Sequence, residues 1–177
     1  GITQDVTAFM SSILYRGADW IFFPTNLLSQ CDSCIGSKTS INFADYKNQI
    51  GGFFPPAKIY IASAVLDTLD DSEICSGLGE MAHYFLVESE EAFERYEQKV
   101  DQALQRGQAL HELIAESLSI KKKMIEIDEF DEGPRNVFNY GHPFGHAIEG
   151  YTNYSIPHGI AVSYGMDIAN AVSVHLG

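Results

Sequence analysis

From Thr3 to Leu14, the residues Val6, Phe9, Met10, Ile13 and Leu14 recur at the three- and four-residue spacing of one helix face. Asp19 to Phe23 is a short aromatic run without that period, closed by Pro24, and reads as a buried strand. Asn26 is placed to cap a helix through Leu27, Leu28 and Cys31. Gly36 to Phe54 is polar and carries glycines and lysines, which predicts loop and short strands. Lys58 to Ala62, introduced by Pro55-Pro56, predicts a second strand. Strand, helix and strand in that order form the rear of a nucleotide-binding α/β layer.

Beyond about Asp70 only helical patterns follow. Asp70-Asp71-Ser72-Glu73 is an acidic helix start, which suits the macrodipole. Glu88 to Leu118 predicts one long charged helix whose apolar face is carried by Phe93, Tyr96, Val100, Leu104 and Leu110. Ser117 to Ile127 continues as helix, Asp128 to Arg135 is an acidic turn with Gly133-Pro134, and His142 opens further helix. The expected fold class is α/β plus all-α, with residues 1–69 in the α/β part and 70–177 in a helical domain.

Composition removes some function classes. Eleven Lys+Arg against 24 Asp+Glu give a formal net charge of -13, too few cations for a large nucleic-acid face. Charges or glycines interrupt every apolar stretch before membrane-spanning length. Cys31, Cys34 and Cys75 are too few for a disulfide scaffold, and no leader precedes them, so a reducing, cytoplasmic setting is expected. Neither Gly1 nor Gly177 resembles a natural terminus, and the chain reads as an excerpt of a longer protein.

Three segments carry candidate chemistry. The strongest is Asn139-Tyr140-Gly141-His142-Pro143-Phe144-Gly145-His146, followed by Pro157-His158-Gly159. His142 and His146 stand four apart and could share a helix face as zinc ligands. Alternatively Pro143 places His142 at a helix entrance, leaving His146 as an acid/base or phosphate-binding group. A pair of satisfied structural histidines is the plain alternative. The second segment is Gly77-Leu78-Gly79-Glu80-Met81-Ala82-His83, in which a carboxylate among small apolar residues needs a partner such as a metal, although taken alone it reads better as a capping or surface glutamate. The third is Asp32 to Lys38 followed by Lys47-Asn48, where two lysines and an amide near glycine suit a phosphate or polyol. Cys31 and Cys34 have redox spacing but lack a redox context, and read as small core residues.

In their order, Asp5, Arg16-Gly17, Pro24-Thr25, Asp32 to Lys38, Lys47-Asn48, Thr68-Leu69, Gly79-Glu80, Lys121, Asp128-Glu129, Arg135, the Asn139–His146 block and His158 resemble the 3-dehydroquinate synthases over essentially the whole chain. That resemblance implies a Rossmann-like NAD domain joined to a helical metal domain, with the active site between them. It implies Glu80, His142 and His158 as zinc ligands, a site cobalt would also fit, and His146 as a phosphate-contacting, proton-handling residue. It places Gly1, Asp5, Thr25, Asn26 and Thr68 near NAD, and Asp32, Lys38, Lys47 and Asn48 at the boundary between NAD and substrate. Lys121 and Arg135 become substrate anion clamps beside Asn139, and Arg16 reaches across a homodimer interface.

The implied reaction is a carbon–oxygen lyase chemistry that converts 3-deoxy-D-arabino-heptulosonate 7-phosphate into 3-dehydroquinate. Departures bear on the substrate: His83 stands where the family usually has lysine, Ser37 replaces a usual Gly, Asn26 a usual Thr, and Pro143 a usual Thr or Ser. The alternatives are a secondary-metabolism cyclase of the valiolone or deoxy-inosose type, and an inactive fragment or binding module on the same fold.

Overall fold

The computed structural model describes residues 1–44 and 46–177. The α/β part is slight. Strand β1 (Ile21–Phe22) runs parallel to β4 (Lys58–Ile59), pairing Ile21 with Lys58 and Phe22 with Ile59. Between them lie a π-helical turn at Ser29–Ser33 and an antiparallel hairpin, β2 (Lys38–Phe43) with β3 (Tyr46–Phe53). Asn26 does cap the turn, its Oδ1 accepting from Ser29 N–H at 2.8 Å. The hairpin occupies the segment expected as loop with short strands. All eight residues of β3 are exposed, so no apolar alternation marks it in the sequence.

Helix α1 (Ile2–Ile13) forms where its period predicts. Its apolar stripe, however, faces outward, with Val6 49% and Ile13 55% exposed. The helix is held instead through its other side. Gln4 donates to Ser33 O at 3.2 Å and accepts from Ser33 Oγ at 3.0 Å, fixing α1 to the π-helical turn.

Five helices build the remainder: α2 (Asp71–Glu88), α3 (Glu90–Ala103), α4 (Gln108–Ile127), α5 (His142–Tyr151) and α6 (His158–Leu176). The long helix expected from Glu88 to Leu118 is broken twice. Ser89 is fully extended (φ -175°, ψ 166°), ends α2, and accepts from Ala92 N–H at 3.2 Å to cap α3. Arg106 then takes a left-handed φ of 55° just before Gly107 and α4. Ion pairs Arg95–Glu116 and Lys99–Glu112 run in opposite chain directions, so α3 and α4 form an antiparallel hairpin. The apolar face continued through both breaks, which hid them.

Helix α2 is the axis of the core. Ile74, Leu78, Met81 and Phe85 are all at most 3% exposed at four-, three- and four-residue spacing. Leu27, Cys31 and Leu66 join the same cluster, so one core spans both sides of residue 69. Against α2 lies α6, close enough that a Cβ on Gly159 would overlap the Ser76 carbonyl oxygen. Gly159 N–H donates to Ser76 Oγ at 3.0 Å across that crossing. The approach seats His158, the first residue of α6, over Glu80. Gly159→Ala is therefore expected to destabilise the fold by about 1–3 kcal/mol, as overpacking does. An unchanged thermal midpoint would show that the helices can separate without cost.

Candidate functional site

Glu80 sits at the middle of α2 and is 3% exposed. Three histidines surround its carboxylate. His158 Nε2 lies 3.4 Å from Oε2, and His142 Nε2 lies 3.6 Å from Oε1. His83 Nδ1 donates to the Glu80 carbonyl at 2.6 Å, one helical turn along. Burial alone would raise the Glu80 carboxyl, but the facing histidines, His142 and His158 at its two oxygens among them, hold it well below the usual carboxylate range. His83 is pulled the other way: burial lowers it below the ordinary imidazole value, so it is neutral. With Nδ1 donating, its Nε2 lone pair is buried and has no partner.

Local structure explains the convergence. Gly141 takes φ 79° and turns the chain into α5, with Pro143 in the first turn. His142 is thus the opening residue of one helix and His158 that of the next. On α5, His142, His146 and Glu149 fall at four- and three-residue spacing along one face. The rings of His142, His146 and His158 form a triangle with centroids 5.5–5.6 Å apart. His158 lies between carboxylates, its Nδ1 3.2 Å from Glu149 Oε2. Burial would lower His158, but Glu80 and Glu149 outweigh it and push it up to about 9. His146 is drawn below its ordinary value by partial burial and by His142, so it is neutral near pH 7.

The Glu80, His142 and His158 ligand atoms lie within 4.8 Å of one another. Glu80 Oε2 is buried without a hydrogen bond. Two imidazole nitrogens and an ionised carboxylate suit zinc, and a buried anion with an orphaned oxygen suits a cation. The residues fit.

Beside this cluster opens a cavity of about 270 Å³ lined by Asp32, Lys38, Asn48, Glu80, Tyr84, Lys121, Asp131, Arg135, Phe138, Asn139, His142 and His158. Its cations are already partnered. Lys121 donates to Asp32 Oδ1 at 2.5 Å and to Asp32 O at 2.8 Å. Lys38 pairs with Asp131, and the Arg135 guanidinium donates to Glu129 O at 2.6 Å and Gly36 O at 3.3 Å. On α4, Ser117 and Lys121 interrupt an otherwise apolar face, and Ser117 donates to Cys31 O at 3.0 Å. Both side chains therefore grip the π-helical turn that carries Asp32.

The other sequence candidates lie elsewhere. Gly1, Thr25 and Asn26 line a separate cavity of about 490 Å³ against Trp20 and Phe22. Asp5 and Lys38 share a small cleft with Ser37. Lys47 reaches Glu149 at 3.4 Å and lies 4.8 Å over the Tyr154 ring. Thr68 is exposed and donates to its own turn at Val65 O. Arg16 is exposed, with left-handed backbone (φ 68°) directly after Tyr15 (φ 52°). His83 is fully buried and does not itself line the cavity, but its ring packs against the lining residues Tyr84 and His142, with centroids 4.0 and 5.0 Å away.

Four residues escaped the sequence reading. Tyr84 lies four residues after Glu80 on α2, a spacing that could have found it, and donates its hydroxyl to Asp32. Burial, then the Asp32 charge, raises that phenol well above its usual value, so it stays neutral. Asp131 was concealed in an acidic turn and Phe138 in a run of no clear period. Glu149 was readable from the α5 face.

The same logic disfavours the thiolates of Cys31 and Cys34. Cys31 and Cys34 are buried, and burial pushes Cys34 up to about 11 and Cys31 well above its usual value. At pH 8 only about one Cys34 in a thousand is thiolate. Alkylation of the native protein should therefore modify Cys75 first, leaving Cys31 and Cys34 protected until unfolding. Mass spectrometry showing early Cys34 adducts would contradict this.

A short parallel strand pair joined to a helical carboxylate–histidine centre places the chain among proteins with the sugar-phosphate cyclase fold. It superposes on a 2-epi-5-epi-valiolone synthase from Streptomyces hygroscopicus with NAD+ and Zn2+ bound, with TM-score 0.85 and 25% identity over 92% of this chain and 46% of that one. A 2-deoxy-scyllo-inosose synthase complexed with carbaglucose-6-phosphate, NAD+ and Co2+ matches with TM-score 0.83 and 25% identity, over 98% and 48%. Residues 1–76 match the family model described as 3-dehydroquinate synthase N-terminal, and residues 77–177 its C-terminal counterpart. The chain belongs to the 3-dehydroquinate synthase family. A 3-dehydroquinate synthase from Dictyoglomus turgidum is 42% identical over 179 residues, all of this chain and 50% of that protein. One from Campylobacter curvus is 40% identical over 178 residues, all of this chain and 51% of that protein. The chain thus spans about half the length of the curated relatives it matches. Among the described residues, no helix is long and apolar enough to cross a membrane.

Proposed function

We propose that the protein containing this chain is an NAD- and zinc-dependent phosphate lyase that cyclises 3-deoxy-D-arabino-heptulosonate 7-phosphate to 3-dehydroquinate. The observation carrying this reading is the convergence of Glu80, His142 and His158 beside a cavity lined by Lys38, Lys121 and Arg135. The two relatives of known structure hold NAD+ with zinc or cobalt, which supports both cofactors here. Residues 1–69 would supply the nucleotide side and 70–177 the metal side, in a homodimer with Arg16 at the subunit boundary.

Zinc, when bound, acidifies a substrate hydroxyl, and NAD accepts and returns a hydride. This chain supplies the rest. Glu80, His142 and His158 would hold the metal, while Gly1, Asp5, Thr25, Asn26 and Thr68 would contact the cofactor, with Asp32 and Lys47 at its boundary. Lys38, Lys121 and Arg135 would hold the substrate anions, and the partners they now occupy keep those cations oriented before substrate arrives. Asn48 and Asn139 offer amides to hydroxyls at the cavity wall. His146, neutral near pH 7, would accept a proton released during the reaction.

A second reading has its own support. His83 stands where the family usually has lysine, and a buried neutral imidazole adds no cation to the cavity. That favours an uncarboxylated sugar phosphate, and the 2-deoxy-scyllo-inosose synthase of similar structure holds one such ligand, carbaglucose-6-phosphate. Phosphate release by the full-length protein with NAD and zinc should be fast on the heptulosonate phosphate and at background on an uncarboxylated sugar phosphate. The reverse ranking would replace the first reading with the second.

A further inference from the structure

Glu149 is 5% exposed, yet it lies outside the cavity and outside the three residues facing Glu80. Its Oε2 is 3.2 Å from His158 Nδ1, while the other nitrogen of the same ring, Nε2, is 3.4 Å from Glu80 Oε2. An imidazole can present only one nitrogen to a given centre, and a carboxylate on the far nitrogen fixes which one. Without that partner, the His158 ring is free to flip about its Cβ–Cγ axis and point Nδ1 elsewhere.

We infer that Glu149 is a positioning residue for the metal centre: it accepts the Nδ1 proton of His158, fixes the tautomer, and so holds Nε2 toward Glu80. This rests on the reading of Glu80, His142 and His158 as a metal site. A buried carboxylate held against an imidazole also raises the basicity of the ligand nitrogen.

His146, Glu149 and His158 also bring their ligand atoms within 4.8 Å, and the competing arrangement is a second cation bridged through His158. Lys47 argues against it. Its ammonium stands 3.4 Å from the same Glu149 Oε2, and a divalent ion there would face a fixed positive charge. His146 is also poorly placed, 3.9 Å from Oε2 and half exposed. Glu149 is satisfied by a proton and an ammonium instead. It thereby ties the β2–β3 hairpin, which carries Lys47, to the histidine that opens α6.

Zinc affinity of the full-length protein, measured by competition with a chromophoric chelator, tests this without reference to turnover. Glu149→Gln is isosteric but neutral, and its amide can turn a donor toward His158. It should weaken zinc about 10-fold or more, and Glu149→Ala within the 10- to 100-fold range typical of such outer partners. The cobalt-substituted variants should show a shifted visible ligand-field band, which a remote structural defect would leave alone. Metal-free thermal unfolding of Glu149→Gln checks the fold. A folded Glu149→Gln protein with zinc affinity within twofold of native and an unchanged cobalt band would overturn the inference. So would two tightly held zinc ions per native chain, one of them lost in the variant. Native protein that binds no zinc at all would instead overturn the metal-site reading beneath it.

Discussion

Glu80→Gln in the full-length protein is expected to cut phosphate release from the heptulosonate phosphate by about 1,000-fold or more, equivalent to ~4 kcal/mol of barrier. The substitution keeps the volume of a side chain that is 3% exposed, so packing around Met81 and Phe85 is preserved. What changes is charge. The carboxylate is ionised because its facing histidines, His142 and His158 among them, outweigh its burial, and its Oε2 has no hydrogen bond to lose. Glutamine would place a neutral amide where the cluster has an anion, removing both a ligand and the countercharge for His158. Metal-free Glu80→Gln should unfold within a few degrees of the metal-free native protein. Chelation should bring native activity down to the level of the variant, and added zinc should rescue only the native protein. Persistent native turnover after zinc falls well below one ion per chain would exclude a metal role for Glu80, His142 and His158.

The parts of this site legible in the sequence were those where a residue type contradicted its surroundings. Glu80 stands in a run of small apolar residues, and buried carboxylates need partners. His142 and His158 follow Gly and Pro, which mark helix entrances, and helix entrances are where the structure places both. Residue spacing alone left two histidine arrangements open on α5. In the structure His142 Nε2 lies 3.6 Å from Glu80 and His146 Nε2 3.9 Å from Glu149. Less was legible where neighbours in space decide the outcome. Strand β3 has no buried face to produce a period of two and β2 buries only Thr39, while the breaks at Ser89 and Arg106 fall inside a continuing apolar face. Tyr84 and Asp131 matter through partners distant in sequence, Asp32 and Lys38, that no local pattern announces. The fate of the α1 stripe was likewise undecidable from its period, which gives a face but not what it meets.

Arg135→Lys, paired with His83→Lys, should decide which sugar phosphate the site takes. Arg135 is 5% exposed and lines the cavity, but two of its five N–H groups already serve Glu129 O and Gly36 O. The remaining donors keep a planar fork that can grip a carboxylate or phosphate at two points. A lysine puts all its donors on one nitrogen, so it cannot span both carbonyls and an anion. Arg135→Lys is expected to lower kcat/KM about 10-fold or more, ~1.4 kcal/mol per decade. His83→Lys works in the opposite sense. The imidazole it replaces is neutral and has no exposed surface, with Glu80 Oε1 only 3.6 Å away, so an ammonium there would not be left unpaired. On the first reading, restoring the family's usual lysine should raise turnover of the heptulosonate phosphate several-fold. On the second, that turnover should stay at background while turnover of an uncarboxylated sugar phosphate falls. Both variants measured on both substrates therefore separate the readings. Strong native turnover of an uncarboxylated sugar phosphate, with none on the heptulosonate and no gain in His83→Lys, would sink the dehydroquinate-forming assignment and leave the metal centre standing.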